Sequence, residues 1–131
     1  MRIPEALYSQ LIDHCRREYP REACGILGGE SGVVKYVYPM ANINRSSISY
    51  QMDPKEQLCI MKQMRQENCD MVAIYHSHTT TEAFPSVLDV ELAISADVFY
   101  LIVSLKDKGS PIMRSYRVED GQIKEESLCI C

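Results

Sequence analysis

Apolar positions in the first eighteen residues recur at a helical spacing. Leu7, Leu11 and Cys15 fall four apart, Pro4 suits a first helical turn and Pro20 ends the run, so residues 4–18 read as a helix. The pattern then changes to short runs rich in β-formers. Residues 22–29 (EACGILGG) and 33–39 (VVKYVYP) flank a glycine-rich turn and predict a hairpin. A polar loop over 40–47 leads to a short strand at Ile48–Met52. Asp53-Pro54 pairs an N-cap residue with proline at the first helical position, and the helix it opens runs to about residue 68, with Leu58, Met61 and Arg65 along one side. Met71–His78 begins as a buried strand and ends in polar residues. Residues 79–85 form a loop, Ser86–Ala96 a third helix, and Phe99–Leu105 a hydrophobic central strand. Residues 112–118 and 122–128 make a last hairpin around Asp120-Gly121. Helices alternating with strands, and hairpins at both ends, predict an α/β fold: one mixed β-sheet flanked by helices.

Length and composition narrow the function classes. The 131 residues suit one domain spanning 1–131, because two cores of half that size would bury too little surface to hold themselves together. Hydrophobic and charged fractions of 46% and 24% are globular, which excludes a disordered or collagenous chain. No stretch approaches ~20 consecutive apolar residues, so no membrane span is expected. The segment MRIPEALYSQ has no apolar h-region, so no secretory signal is expected and a cytoplasmic setting follows. Basic residues are scattered, the longest run is Arg16-Arg17 and the net charge is -4, which argues against nucleic acid as a partner. Six cysteines without a CxxC pair read as free thiols, metal ligands or redox groups rather than a disulfide framework or a four-thiolate zinc knuckle. Cys15, Cys59 and Cys69 are expected on helices, Cys129 and Cys131 in a tail, and His14 on the surface of the first helix.

The chemistry concentrates in residues 76–89, HSHTTTEAFPSVLD. Side chains repeat every second residue along a strand, so His76 and His78 project to one face at its end. Asp89 follows one turn into the next helix, after a loop long enough to fold that turn back over the strand end. Two imidazoles and a carboxylate form the three-ligand set that zinc takes in catalytic sites, with a fourth position open to water. The same residues have a plainer explanation: Ser86-x-x-Asp89 is a capping box, which accounts for both without a metal. A zinc hydrolase also needs a general base, and Glu22 is the candidate. It opens an otherwise apolar strand, where a carboxylate is either solvated at the strand end or held by a partner.

Taken together, these residues resemble the JAMM (MPN-plus) zinc metalloprotease family, in particular its small stand-alone prokaryotic members. The resemblance rests on Glu22 within Glu22-Ala23-Cys24-Gly25-Ile26-Leu27, on Asn42 and Tyr50–Pro54, and on His76-Ser77-His78, seven residues, Ser86, two residues, Asp89. It implies a JAMM/MPN fold of cytidine-deaminase-like architecture. One Zn²⁺ per chain would be held by His76, His78 and Asp89. Glu22 would be the general base, and Ser86 a donor to the developing oxyanion. The implied substrate is a ubiquitin-like sulfur-carrier protein with a Gly-Gly tail, cut at an amide bond at that tail. One position departs from the family pattern: Thr79 stands where proline commonly follows the second histidine, and three consecutive threonines are expected to leave that loop looser. Cys24, two residues from Glu22, is expected to face the same side, either as small core filler or as an oxidisable thiol.

Three other readings stay open on the sequence. A non-catalytic MPN scaffold would normally have lost a ligand, and here all are present. A deubiquitinase-like isopeptidase acting on whole conjugates would carry long insertions that 131 residues leave little room for. A zinc deaminase would need a Pro-Cys-x-x-Cys motif. The oligomeric state has no sequence signal.

Overall fold

The computed structural model describes residues 1–93 and 95–131. In chain order the elements are β1 (Arg2–Ile3), α1 (Glu5–Glu18), β2 (Cys24–Glu30), β3 (Val33–Met40), α2 (Pro54–Gln66), β4 (Asp70–His78), α3 (Val87–Glu91), β5 (Phe99–Ser104), β6 (Ile112–Glu119), β7 (Gln122–Glu126) and β8 (Cys129–Ile130). Among the described residues the strands form one mixed sheet in the order β7-β6-β5-β4-β2-β3-β1-β8. The α/β class expected from the pattern is the observed one. Both tight turns use left-handed backbone, at Ser31-Gly32 and at Asp120-Gly121, which matches the twist of the strands they join.

The two sheet faces are separately covered. Leu11, Ile12 and Cys15 of α1 pack with Leu27, Val34, Ala73, Tyr75, Leu101 and Val103, and partly buried Leu7 joins them, as the spacing of four predicts. On the opposite face Met64 of α2 packs with Cys24, Ile26, Tyr38 and Met40. The buried side of α2 is thus Met64 with Ile60, while Leu58 and Met61 are exposed. The central pair matters most for function. β4 and β5 run parallel, joined by the crossover that carries α3, and β4 is antiparallel to β2 on its other side. His78 therefore lies at the carboxyl end of a parallel strand, where open α/β sheets place their ligands.

Several expectations are corrected. Residues 48–52 are not a strand: the segment makes a single bridge, Asn42 to Met52, and the Ser49 carbonyl and Gln51 amide bond to the Asn42 side chain instead of a neighbouring strand. The third helix stops at Glu91 rather than continuing to residue 96, because Leu92 already closes it with N–H bonds to Leu88 and Val90. Ile94 of that expected helix lies outside the described residues. The last strand of the final hairpin ends at Glu126, after which the chain crosses to the far edge and adds β8, parallel to β1. Cys129 therefore sits in a strand, not a tail, and Cys69 lies in the turn after α2, not on a helix. His14 is buried rather than on the surface, hydrogen-bonded through Nδ1 to the Tyr75 hydroxyl at 2.8 Å. Gly25 lets that pair exist, since a Cβ there would collide with the Tyr75 ring. All six cysteines are free thiols. No helix among the described residues is long and apolar enough to cross a membrane.

Candidate metal centre

Alternation along β4 sends Ala73 and Tyr75 into the α1 face of the core, and Ile74, His76 and His78 to the opposite face. His76 and His78 end up buried, with their Nε2 atoms 3.1 Å apart. The carboxylate arrives from α3. Ser86 caps that helix by accepting the Asp89 N–H at 3.1 Å, and Ser86 N–H donates to Asp89 Oδ2 at 2.8 Å. The capping box is therefore real, and it also aims the carboxylate: Asp89 Oδ2 lies 3.2 Å from His76 Nε2 and 3.0 Å from His78 Nε2. The capping box and a ligand position for Asp89 are geometrically compatible.

Three donor atoms meeting in this way fit a metal ion. Zinc ligands at about 2.0–2.1 Å in a tetrahedron stand roughly 3.3 Å from each other, close to the separations found here. His78 is also in the tautomer a metal needs. Its Nδ1–H donates to the Glu82 carbonyl at 2.8 Å, which leaves the Nε2 lone pair facing the cluster. His76 is oriented differently: Nδ1 is buried without a hydrogen-bond partner, and the ring is held by stacking on Tyr50, centroids 4.6 Å apart.

The three groups differ in how their surroundings shift their protonation. Burial alone would raise the Asp89 carboxyl, but hydrogen bonds with His76 and His78 hold it well below the usual carboxylate range. Burial lowers His76, keeping it neutral. His78 is also pulled down by burial, but its bonds to Asp89 and to the Glu82 carbonyl raise it on balance.

Glu22 is not the solvated strand-end carboxylate of the plainer explanation. It is 4% exposed, its Oε1 has no hydrogen-bond partner, and burial pushes its carboxyl up to about 8. Its backbone is pinned on both sides. The amide donates to the Ser46 carbonyl at 2.8 Å and the carbonyl accepts from Asn42 Nδ2 at 3.0 Å. The next residue is fixed to the ligand strand, since Ala23 N–H donates to Ser77 Oγ at 2.8 Å and Ser77 N–H returns a bond to Ala23 O at 3.0 Å. Glu22, His78 and Ser86 share one cleft of about 180 Å³ with Ser47, Ile48 and Thr79. Orphaned buried acceptors of this kind occur where a water, ion or substrate belongs.

The five site residues expected from the sequence thus converge. The expected looseness after His78 is corrected: Thr79 is buried and its hydroxyl donates to the Ser47 carbonyl at 3.0 Å, so the turn is tied down without proline. Cys24 lies opposite His76 in the ladder, buried, with burial pushing its thiol up to about 12. Burial and a raised thiol favour the core-filler expectation over the oxidisable one. The positioning bonds of Ser77 and the Glu82 carbonyl were missed. Strand alternation, which puts Ser77 on the face opposite the histidines, was the one signal available for the first.

The model of the family described as prokaryotic homologs of the JAB domain matches residues 4–119. The chain belongs to that family. This JAB chain is 43% identical to the CysO-cysteine peptidase of Mycobacterium tuberculosis over 124 residues, 93% of this chain and 85% of that protein. It is 32% identical over 101 residues to the desampylase of Haloferax volcanii, 72% of this chain and 73% of the relative. Among solved structures, a protein from Desulfitobacterium hafniense superposes with a TM-score of 0.91 at 34% identity, covering 100% of this chain and 93% of that one. A structure described as a JAMM metalloprotease-like zinc site in the proteasome and signalosome shares the fold, with a TM-score of 0.64 at 17% identity over 100% of this chain and 97% of that one. The architecture of the JAB chain is therefore the JAMM/MPN one expected from its motifs.

Proposed function

We propose that this protein is a zinc-dependent peptidase of the JAMM type that hydrolyses an amide bond at the C-terminal Gly-Gly tail of a ubiquitin-like sulfur carrier. The observation that carries it is the meeting of His76 Nε2, His78 Nε2 and Asp89 Oδ2 within 3.0–3.2 Å, beside a buried carboxylate, Glu22, whose Oε1 is unpartnered. Relatives named CysO-cysteine peptidase and desampylase support the substrate class.

His76, His78 and Asp89 would hold Zn²⁺. Bound there, zinc would supply Lewis-acid chemistry, which brings the pKa of a coordinated water down to about 7. Glu22 takes the proton of the attacking water at its free Oε1 and delivers it to the leaving amine. Burial raises the carboxyl to about 8, and a cation held by the neighbouring His76, His78 and Asp89 would favour the charged form that accepts the proton, leaving an acid able to return it to the amine. Ser86 accepts one bond as a helix cap, so its own O–H is still available to donate to an oxyanion. The tail would lie along the cleft between Ile48 and Ser86, with glycines avoiding clashes beside the ion. The 131 residues work as one catalytic domain, and the six free thiols suit the reducing cytoplasm.

The test is a sulfur carrier extended by one residue beyond Gly-Gly, followed by mass spectrometry. Release of that residue, loss of activity with chelator and recovery with Zn²⁺ are expected. A fully zinc-loaded protein that leaves the carrier intact would sink the proposal and favour the scaffold.

A further inference from the structure

The loop over residues 41–52 forms one wall of the cleft, and most of it is secured by Asn42. That side chain donates to the Ser49 carbonyl at 2.9 Å and accepts the Asn44 and Gln51 amides at 3.1 and 3.2 Å. The tip at Ser46–Ile48 lies beyond this grip. Its attachment to the body is two consecutive carbonyls: Ser46 O accepts the Glu22 amide at 2.8 Å and Ser47 O accepts the Thr79 hydroxyl at 3.0 Å. One bond comes from the carboxylate's own residue and the other from the residue after His78, so the tip staples the two sides of the metal centre. Ile48 follows immediately, 78% exposed and lining the cleft.

We infer that Thr79 is a positioning residue for substrate binding: its hydroxyl fixes the loop tip that carries Ile48, and with it the width of the groove beside the metal ligands. This rests on the peptidase reading for its substrate effect, but not for its effect on loop order. Thr79 is 4% exposed, so its hydroxyl is held against the loop opposite rather than exchanged with solvent, and stiffness is supplied across the cleft. Glu22 retains its other anchors, Asn42 Nδ2 on its carbonyl and Ser77 on Ala23, when the Thr79 bond is removed. Loss of the hydroxyl therefore weakens substrate binding more than the chemical step.

The test compares zinc-loaded wild type with Thr79→Val, which keeps the shape and deletes the hydroxyl, and with Thr79→Ser, which restores it. Two readouts are taken: hydrogen exchange of the Glu22 amide, which is bonded to Ser46, and KM and kcat on the one-residue-extended carrier. In Thr79→Val, exchange and KM are each expected to rise roughly three- to tenfold, the range one hydrogen bond of ordinary net strength supports, with kcat within about twofold and zinc content unchanged. Thr79→Ser is expected to return both to wild-type values. Unchanged exchange in Thr79→Val overturns the inference whatever the substrate does, and so does failure of serine to restore it. Faster exchange with an unchanged KM would overturn the role in binding. A wild type that cuts no carrier would defeat the peptidase reading and the binding role with it, while the exchange comparison would still decide whether Thr79 orders the loop.

Discussion

Ser86 and Asp89 are bonded to each other twice, with the Asp89 amide on Ser86 Oγ at 3.1 Å and the Ser86 amide on Asp89 Oδ2 at 2.8 Å. The same Oδ2 faces both histidines. A local helix-starting device thereby delivers a ligand. The cap and the proposed oxyanion donor share the Ser86 hydroxyl, so a simple alanine substitution confounds them.

Ser86→Ala is expected to lower stability by about 0.5–2 kcal/mol through the lost cap, and kcat by roughly 10²–10³ through the lost donor. Ser86→Gly separates the two effects, because glycine at an N-cap costs only a few tenths of a kcal/mol. Thermal unfolding and turnover of both variants decide it. Near-wild-type kcat in the glycine variant would return Ser86 to a purely structural role.

Glu22→Gln is expected to reduce hydrolysis by at least about 10²-fold while leaving one zinc per chain. The substitution keeps the shape of a buried side chain whose acidic form is already favoured, so the folded protein should not lose stability. Metal analysis and turnover on the same preparation are the check. Retained turnover would mean another group moves the proton.

His78→Ala is expected to bring zinc well below one per chain, because one of three converging donor atoms disappears. Glu82→Ala should leave zinc unchanged, since it is the Glu82 backbone carbonyl, not its side chain, that orients His78. Zinc content of the three proteins after dialysis tests both statements. Equal zinc in wild type and His78→Ala would place the metal on cysteines instead.

His14 predicts a pH dependence remote from the metal. Burial lowers its pKa below the ordinary 6.5, so as pH falls through that value the unfolded chain takes up a proton that the folded one resists. Its contribution to stability is complete above pH 6.5 and is lost progressively below it, down to the folded value. The stability difference between wild type and His14→Gln should therefore shrink as pH falls through that window, read from denaturant unfolding at several pH values. A constant difference across the window would contradict the buried neutral imidazole.

Much of this molecule was legible because its signals are local. A repeat of four over Leu7, Leu11 and Cys15, proline at either end of α1, and glycine turns at 31–32 and 120–121 each act within a few residues, and α1 and both hairpins formed there, the last strand ending at Glu126 rather than 128. The histidine pair was equally legible, since a strand's two-residue period makes His76 and His78 neighbours however the rest folds. What failed was non-local. The segment 48–52 has strand-like residues, but the Asn42 side chain takes up its backbone bonds; α3 has a helix start that Leu92 closes early.

By itself the sequence determined the α/β class, the ligand types and their spacing, because backbone periodicity and side-chain chemistry travel with the chain. Only the tertiary structure decided that Glu22 is buried and unpartnered, that His14 is inside, and that Thr79 reaches across to Ser47. Each of those depends on groups far apart in sequence, and their burial, partners and pKa exist only once water is excluded between them.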